Sequence, residues 1–399
     1  MGILNIIFAL LILLFPIAEI GRFQFANGVA FSVNDVLLIT LIIFWVGNHL
    51  LNKKTLTKST LTKPALIFTG VALVSLLLNI QHLSLINFLI SALYLLRWAM
   101  YLSLFFVVKE FDKQFKNVIS YLLLFSGTVI AIIGFVQYFF YPSLRNLYYL
   151  GWDEHLYRMF SSFFDPNFAG SFFVLLFILI LGLIYKFIKK KKQTYAFSLA
   201  ILEFFVLLAI YLTYSRSALI MLVISFSTFL FLIKKWKLII FALIGLLLMI
   251  FIIPKSFQTE GTNLLRSFSS NQRVQSSQIA LKIFQSSPVF GVGFNAYRYA
   301  QNKIGLDNET WQITHSGAGT DNSFLFVLAT TGIVGLIAYI YFIFNIFVLA
   351  KTNLKNNVFS LVLFSSLLGL IFGSLFINSL FYVFILEWIL IIAGLTESK

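Results

Sequence analysis

The sequence is built from long apolar runs, each close to the length that an α-helix needs to cross a lipid bilayer. A crossing takes about 20 residues, because the hydrocarbon core is about 30 Å thick and a helix rises about 1.5 Å per residue. Sixty per cent of the residues are apolar and only 11% are charged, which excludes a soluble globular domain. We therefore predict an all-α polytopic membrane protein with about twelve transmembrane helices, forming a single membrane domain over residues 1–399.

The predicted spans are numbered in chain order. Residues 3–20 are predicted as a span and not as a cleavable signal peptide, because they lack a basic leading segment and an A-x-A-like cleavage site. One long apolar run towards the C-terminal end is divided near Asn378 into two spans. The predicted spans are 3–20, 33–51, 64–80, 86–108, 117–140, 167–187, 195–213, 216–233, 237–254, 322–349, 357–375 and 379–395.

The lysines predict the orientation of the chain. They cluster after predicted spans 2, 4, 6, 8 and 10, and short cytoplasmic loops collect positive charge. Both termini are therefore predicted to be cytoplasmic. The same lysines account for most of the net charge of +15 and suit anionic headgroups, so we expect membrane lipids and no nucleic acid as partners.

The eight arginines follow the opposite pattern, because none of them falls in a predicted cytoplasmic loop. Arg97 lies inside predicted span 4, and the others lie outside the membrane or at its outer boundary. A guanidinium grips a phosphate or carboxylate through two hydrogen bonds. Any one of them could simply pair with an acidic side chain or a headgroup, but as a set they favour an external anionic substrate. The external arginines are Arg22, Arg145, Arg158, Arg216, Arg266, Arg273 and Arg298.

Two predicted external segments are long, the first external loop at 141–166 and the large external loop at 255–321 between predicted spans 9 and 10. Long ordered loops usually carry function. An amphipathic helix is predicted over 271–286, ended by Pro288 and a glycine turn at 291–293. We expect it to lie on the outer surface above a cavity among the spans. Val274, Ile279, Leu281 and Ile283 form its predicted apolar side, and Arg273 lies in its first turn.

Predicted spans 6, 8 and 10 all begin on the outer side. Asp165 and Pro166 are typical of the cap and first position of span 6, Ser215 of the cap of span 8, and Thr320 or Asp321 of the cap of span 10. Helix N-termini carry positive dipole ends and free amides, so these three ends would form an anion site with the external arginines if they converge.

Charged residues inside a membrane are costly and often functional. Arg97, Glu203 and Glu387 lie within predicted spans. We expect a Glu–Arg pair that stabilises the helix bundle, and a proton or ion relay is the alternative. Asp35 and Glu19 lie near predicted helix ends and are expected at the interface.

A series of short motifs occupies roughly residues 145–345. They are Arg158 with Phe164-Asp165-Pro166-Asn167 and Ala169, Thr213-Tyr214-Ser215-Arg216-Ser217, Arg273 ahead of Pro288-Val289-Phe290-Gly291-Val292-Gly293-Phe294-Asn295, Asp321-Asn322-Ser323-Phe324-Leu325, and Thr331-Gly332-Ile333-Val334-Gly335-Leu336. In this order and spacing they resemble the O-antigen ligase and O-antigen polymerase family of bacterial envelope glycosyltransferases. The flanking spans resemble that family by hydropathy alone.

The resemblance implies a GT-C-like helix bundle that moves a glycan from a polyprenyl diphosphate carrier to an acceptor hydroxyl. The reaction takes place on the outer face of the bacterial cytoplasmic (inner) membrane, with inversion and without a metal ion or other cofactor. Its partners are a polyprenyl diphosphate-linked glycan donor and a glycan or glycolipid acceptor. By resemblance Arg216 and Arg273 hold the diphosphate, Arg158 or Arg298 assists, and Asn322 belongs to the substrate-binding set.

The acceptor hydroxyl needs a general base. Many members of the family have a histidine directly before the asparagine that opens span 10, and this chain has Asp321 there. Either Asp321 is the base, or His315 reaches the site from six residues upstream. His155, in the first external loop, is more readily explained as a solvated histidine.

Two other classes of protein share this general layout. A lipid-linked oligosaccharide flippase has a comparable number of helices but usually lacks a large external loop, and a secondary transporter favours internal repeats that this sequence does not show. Within the family the motifs do not separate ligase from polymerase, although the aspartate before Asn322 favours the polymerase or a divergent branch.

Overall fold

The computed structural model describes residues 2–26, 29–53, 59–240, 259–264, 268–305 and 318–397. Within these residues the chain is mainly helical, with one short antiparallel hairpin of strands β1 (Arg22–Ala26) and β2 (Val29–Ser32). The α-helices are α1 (Ile3–Leu13), α2 (Val33–Leu51), α3 (Thr62–Leu78), α4 (Leu85–Glu110), α5 (Lys113–Phe140), α6 (Pro166–Lys189), α7 (Gln193–Leu212), α8 (Arg216–Leu232), α9 (Phe268–Ser286), α10 (Tyr297–Lys303), α11 (Ser323–Thr352), α12 (Val358–Gly373) and α13 (Val383–Thr396).

The prediction of a polytopic helical membrane protein is confirmed. In the part of the chain that the structure describes, six helices are long and apolar enough to cross a membrane, or seven if one bent pair counts as a span. Four shorter apolar helices, α3, α8, α12 and α13, also coincide with predicted spans. Predicted span 9 at 237–254 lies outside the described residues beyond residue 240, so the total of about twelve stays a prediction.

The predicted span over 3–20 is bent in the structure, and whether the bent pair forms one span stays a prediction. After α1 the chain bends by 63° into a 3-10 segment, Phe15–Gly21. Pro16 lies at the start of this segment, and Ala18 has a φ of 41°, which an L-residue rarely adopts. The bend leads directly into the β1–β2 hairpin, which the hydropathy pattern did not predict.

Helix α6 forms the centre of the bundle. It is more buried than any of the other long apolar helices and packs against α7, α8 and α12. It begins after Asp165 at one end of the bundle and reaches Lys186 and Lys189 in its last turn, roughly 36 Å away for 24 residues. At the lysine end, Lys109 pairs with Glu397 at 3.3 Å. The acidic and arginine-bearing start of α6 is therefore separated from the lysine-rich end by the thickness of the bundle.

A buried ion pair connects α2 with α4. Nε and Nη2 of Arg97 each donate a hydrogen bond of 2.7 Å to one carboxylate oxygen of Asp35, and the hydroxyl of Tyr101 donates to the same carboxylate at 3.0 Å. The expected partner of Arg97 was a glutamate, but Glu387 instead accepts a hydrogen bond of 3.2 Å from Asn34. Asp35 is buried in the first turn of α2, and its predicted position at the membrane interface stays a prediction.

Helix α11 contains a break that is filled by the glycine motif of the large external loop. Gly332 interrupts α11 with φ 67° and ψ −169°, a conformation that is essentially restricted to glycine. The backbone amide of Gly293 donates to the carbonyl of Thr330 at 3.0 Å, and that of Ile333 donates to Pro288 at 2.9 Å. The loop backbone thus satisfies polar groups that the broken helix leaves open, as apolar surroundings require.

Two side chains of α3 fasten this insertion. The hydroxyl of Ser75 donates to the carbonyls of Phe290 at 2.5 Å and Thr330 at 2.9 Å, and Asn79 donates to Gly291 at 2.9 Å. A side chain at Gly291 would overlap the backbone of Thr330. The loop that follows α9 is therefore anchored in the helix bundle and does not hang freely from it.

Candidate active site

Asp165 caps the start of α6, as the sequence predicted. Its Oδ1 accepts hydrogen bonds from the amides of Asn167 at 2.6 Å and Phe168 at 3.2 Å, and Pro166 occupies the first helical position. Its Oδ2 lies 3.9 Å from Nε2 of His155. Capping thus uses one carboxylate oxygen and leaves the other facing the histidine.

The first turns of α6 and α8 are tied together. Ser215 caps α8 by accepting from the amide of Ala218 at 3.4 Å, and its hydroxyl donates to Oδ1 of Asn167 at 3.0 Å. Nη2 of Arg158 donates to the same Asn167 oxygen at 3.3 Å, while its Nε donates to the carbonyl of Thr213 at 2.9 Å. Two of the three predicted helix ends therefore converge.

Arg158 was predicted to assist at the diphosphate, and that role stays a prediction. The residue is only 6% exposed, and its guanidinium donates to Asn167 of α6 and to the carbonyl of Thr213, which lies just before the cap of α8. A buried guanidinium with these partners fixes the relative position of the two helix ends.

The predicted helix over 271–286 is confirmed as α9 and extends over Phe268–Ser286, while its external position stays a prediction. Of its predicted apolar side, Val274 and Leu281 are 56% and 43% exposed on the protein surface. Ala280 and Ile283, each 1% exposed, form the buried side and pack with residues of α11. One turn further towards the start of α9, the inner face becomes polar and carries Arg273.

Arg216 and Arg273 come together beneath this polar half of α9. Nη2 of Arg216 donates a hydrogen bond of 3.0 Å to Oγ of Ser270, one turn before Arg273. Burial is the largest effect on the Arg273 guanidinium and lowers its pKa. The carboxylates of Asp321 and Asp165 act to raise the pKa, and the positive charge of Arg216 lowers it further. Two partly buried guanidinium groups at one place favour a bound anion.

Asp321 lies just before the start of α11 and is held there by α9. Its backbone amide donates to Oγ of Ser276 at 3.2 Å, and the Ser276 hydroxyl donates to Oγ1 of Thr320 at 3.1 Å. The residue is exposed, whereas Thr320 is buried. The carboxyl of Asp321 is therefore reachable from outside, although its backbone is fixed.

Two further carboxyl groups, Asp165 and Asp153, interact with that of Asp321. Partial desolvation by the surrounding protein raises the pKa of Asp321, Arg273 lowers it, and the carboxylates of Asp165 and Asp153 raise it. The net direction is upward, since desolvation and two like charges outweigh one guanidinium. Desolvation and Asp165 likewise raise the pKa of Asp153. A carboxylate with a raised pKa is a stronger base at neutral pH.

The cap of α11 is Asn322, so the prediction of Thr320 or Asp321 as cap is wrong. Oδ1 of Asn322 accepts from the amides of Phe324 at 2.8 Å and Leu325 at 3.0 Å, and its Nδ2 donates to the carbonyl of Leu375 at 3.2 Å. These bonds join its amide group to the protein backbone, and its predicted substrate-binding role stays a prediction. Because Asn322 caps the helix, the Asp321 side chain is not needed for capping.

The structure describes one of the two predicted external histidines and places it near an aspartate. His315 lies outside the described residues, so its role stays a prediction. His155, which the sequence left as a solvated histidine, is brought to Asp165 by a loop in which it, Tyr157, Ser161 and Phe164 all have positive φ. Strained backbone of this kind concentrates at functional sites. The sequence signal that could have identified this pair is that His155 lies close to the motif containing Asp165.

Arg298 is not part of the Arg216–Arg273 pair. It lies in the first turn of α10. Burial is the largest effect and lowers the pKa of Arg298, Tyr94 and Tyr299 act to raise that pKa, and the positive charge of Arg22 lowers it. The predicted set of substrate-binding arginines is therefore divided by the fold into two places. Among the described residues no group of three or more His, Cys, Asp or Glu side chains is arranged to hold a metal ion.

Residues 201–340 match the sequence model of a family described as O-antigen ligase. The resemblance drawn from the motifs is thereby confirmed over this segment, which contains Arg216, Arg273, Asp321 and the Gly332 break. No curated protein matches the chain. Asp153, His155 and Asp165 precede the matched segment and are joined to it through the fold.

Proposed function

We propose that this chain is a glycosyltransferase of the O-antigen ligase and polymerase type. It moves a glycan from a polyprenyl diphosphate to an acceptor hydroxyl on the outer face of the bacterial cytoplasmic membrane. The observation that carries the proposal is the meeting of Arg216, Arg273 and Asp321 at one end of the bundle, within the segment that matches the O-antigen ligase family.

The two arginines suit the leaving group of this reaction. Breaking the bond between the anomeric carbon and the diphosphate leaves negative charge on the diphosphate oxygens. Arg216 and Arg273 neutralise that charge, and the outer first turns of α6 and α8 add their positive dipole ends. Such fixed charges reduce the need for a divalent cation, so the proposed reaction is metal-independent.

Asp321 is suited to act as the general base for the acceptor hydroxyl. Its carboxylate takes the proton of the attacking hydroxyl as the hydroxyl oxygen bonds to the anomeric carbon. The carbon–oxygen bond to the diphosphate breaks at the same time, and its electron pair leaves with the diphosphate. Because the hydroxyl displaces the diphosphate in a single step, it attacks from the side opposite the leaving group and the anomeric configuration inverts.

We place the enzyme nearer to the polymerases than to the ligases, because Asp321 replaces the histidine that many family members have before the capping asparagine. A polymerase uses a second lipid-linked glycan as acceptor, whereas a ligase uses a glycolipid core. Incubation of the purified protein with polyprenyl diphosphate-linked repeats separates the two. A ladder of product lengths indicates polymerisation.

The decisive experiment reconstitutes the full chain in liposomes with a polyprenyl diphosphate-linked glycan and an acceptor. Mass spectrometry should detect a new glycosidic bond and released polyprenyl diphosphate, with the same yield in the presence of EDTA. Movement of intact lipid-linked glycan across the bilayer without a new bond would instead identify a flippase and overturn the proposal.

A further inference from the structure

The connection between α12 and α13, residues 374–382, interrupts a long apolar run with polar residues. Its polar side chains include Ser374, Asn378 and Ser379, and the last of these opens a single 3-10 turn, Ser379–Phe381. Irregular backbone among membrane helices is tolerated only where protein covers it or where it lines a polar cavity. The contacts of this connection therefore show which part of the molecule it serves.

The α12–α13 connection lies against the start of α11. The backbone amide of Ser323 donates to the carbonyl of Ser374 at 2.9 Å, and the backbone amide of Leu380 donates to Oγ of Ser323 at 3.2 Å. Both bonds involve the first residue of α11, which follows Asp321 by two positions. The connection is therefore fixed beside the proposed general base.

Asn378 lies next to the short segment that leads to Asp321. Its Nδ2 is 3.5 Å from the position that a Cβ atom would occupy at Gly319, so the missing side chain of Gly319 leaves room for the amide. Gly319 and Asp321 are separated by one residue, and their Cα atoms are at most about 7 Å apart. The amide of Asn378 therefore lies close to the proposed base.

Two adjacent side-chain oxygens of the connection have no hydrogen-bond partner among the described residues. They are Oδ1 of Asn378 and Oγ of Ser379, and both are buried. The amide of Asn322, by contrast, bonds to the backbone through both of its polar atoms. A buried oxygen without a partner destabilises the folded protein, so two of them beside the base indicate a place that a hydrogen-bonding ligand completes. Asn378 as a whole is half-buried, and its amide can turn about the last torsion to meet such a ligand.

Asp321 has different elements on its two flanks. Helix α9, which carries Arg273, reaches it through Ser276, whose Oγ accepts from the Asp321 amide at 3.2 Å. The α12–α13 connection reaches the same segment through Asn378 and Gly319. The proposed diphosphate site and the connection are therefore contributed by different elements that meet at Asp321.

We propose that Asn378 binds a hydroxyl group of the acceptor sugar and so positions the attacking hydroxyl of that sugar at Asp321. This inference rests on the proposed function, in which Asp321 takes the proton of the attacking hydroxyl and the acceptor approaches opposite the diphosphate. An uncharged amide suits a hydroxyl-bearing sugar, because it donates to and accepts from hydroxyl groups. Ser379 adds a second hydroxyl next to it. Asn378 thus serves the acceptor, while Arg216 and Arg273 serve the donor.

Binding can be measured without turnover, using the full chain in nanodiscs of phosphatidylcholine and two probes. One probe is polyprenyl diphosphate without a glycan, and the other is the free glycan repeat that mild acid releases from the lipid-linked glycan of the producing cells. Asn378→Ala should weaken binding of the free repeat about 2- to 10-fold, the effect of one neutral hydrogen bond, and leave binding of polyprenyl diphosphate unchanged. Arg216→Ala should have the reverse effect. The matched control is Asn345→Ala, further along α11, where the amide bonds to the carbonyl of Tyr341; it should bind both probes as the wild type does.

Asn378→Leu tests whether the amide serves the fold instead. Leucine has nearly the shape of asparagine but no unpartnered oxygen, so this variant should melt at the wild-type temperature or above it while binding the free repeat weakly. A marked loss of melting temperature in Asn378→Leu would make the amide structural and overturn the inference. Unchanged binding of the free repeat by Asn378→Ala, or weaker binding of polyprenyl diphosphate, would overturn it as well.

The binding assay and the transfer assay separate two kinds of failure. A protein that binds the free repeat through Asn378 but forms no glycosidic bond contradicts the proposed function and keeps the binding site. A protein that forms glycosidic bonds, with the same Michaelis constant for the free repeat in the wild type and in Asn378→Ala, keeps the function and contradicts the site.

Discussion

Arg273, on helix α9, interacts through its charge with Asp321, which lies two residues before the start of α11. The two residues belong to different parts of the chain, and α9 brings them together. Within the proposed reaction one holds the leaving group and the other receives the acceptor proton. Docking of α9 therefore completes both halves of the site at once, since Ser270 and Ser276 of the same helix contact Arg216 and the Asp321 backbone.

Asp321→Asn should reduce glycan transfer by about 10²- to 10⁴-fold, because an amide cannot accept the acceptor proton. Since the pKa of Asp321 is raised, its carboxylate form is lost as the pH falls through that raised value. The acid limb of the wild-type rate profile should therefore lie above the ordinary carboxyl range of about 3.9. Transfer rates between pH 4 and pH 9 measure this, and full activity of Asp321→Asn with loss in His315→Ala would make the histidine the base.

Charge reversal at either arginine should abolish transfer. Arg216→Glu and Arg273→Glu would place a negative charge where the diphosphate charge develops, and loss of one such stabilising group typically costs about 10²- to 10³-fold in rate. Arg216→Lys and Arg273→Lys should keep part of the activity, since lysine keeps the charge without the fork. Arg145→Glu, an exposed external arginine, is the matched control and should transfer at the wild-type rate. Normal donor binding by Arg216→Glu would refute the diphosphate site.

His155→Ala should shift the pH profile more than the affinity for the donor. A protonated His155 offsets the charge of Asp165, which itself raises the pKa of Asp321. Without the imidazole the pKa of Asp321 rises further, so the acid limb of the profile should move to higher pH. His82→Ala, in an exposed turn, provides the comparison and should leave the profile unchanged. An identical pH profile for both variants would show that the charge of His155 has no effect on the titration of Asp321.

The orientation can be tested cleanly because the chain contains no cysteine. Tyr148→Cys, in the first external loop, should react with a membrane-impermeant maleimide in intact cells, since Tyr148 is 72% exposed. Lys190→Cys, at the opposite end of α6 and also exposed, should react only after the cells are opened. The reverse labelling pattern would invert the predicted topology and place the arginine-bearing end inside the cell.

The features predicted correctly from the sequence were those set by short-range physics. Apolar runs locate the helices because a bilayer demands a fixed length, and Asp165 and Ser215 are caps because capping involves only the next two or three amides. The N-terminal ends of α6 and α8 meet as expected, but the reason, a shared bond to Asn167, needed the fold.

The errors involve contacts between distant parts of the chain. The partner of Arg97 is Asp35, 62 residues away, and nothing in the local sequence selects it over a glutamate. Arg298 follows the glycine motif and was grouped with Arg273 from sequence order, yet it lies in the first turn of α10, where its charge interacts with that of Arg22. The cap at Asn322 was missed by one residue, because Thr320 and Asp321 also have capping side chains.

Gly332→Ala should destabilise the protein strongly, because the break in α11 has no room for a side chain. A methyl group there would overlap the carbonyl of Val289, and the positive φ is unfavourable for alanine. The strained backbone and the overlap together should cost on the order of 3–5 kcal/mol. Gly70→Ala is the matched control, since Gly70 lies in α3 with open space around it. There alanine should be neutral or stabilising by up to about 1 kcal/mol.

Melting temperatures of both variants in the same detergent provide the measurement, and transfer activity provides a second one. The loop anchored at Gly332 also carries α9. The fraction of Gly332→Ala that folds should therefore lose the charge interaction between Arg273 and Asp321 and transfer little glycan. If Gly332→Ala melted at the wild-type temperature, the close packing of the glycine turn at 291–293 into the break of α11, here called the interlock, would be refuted. If it melted lower but kept full activity, the interlock would be structural only, and the positions of Arg273 and Asp321 would not depend on it.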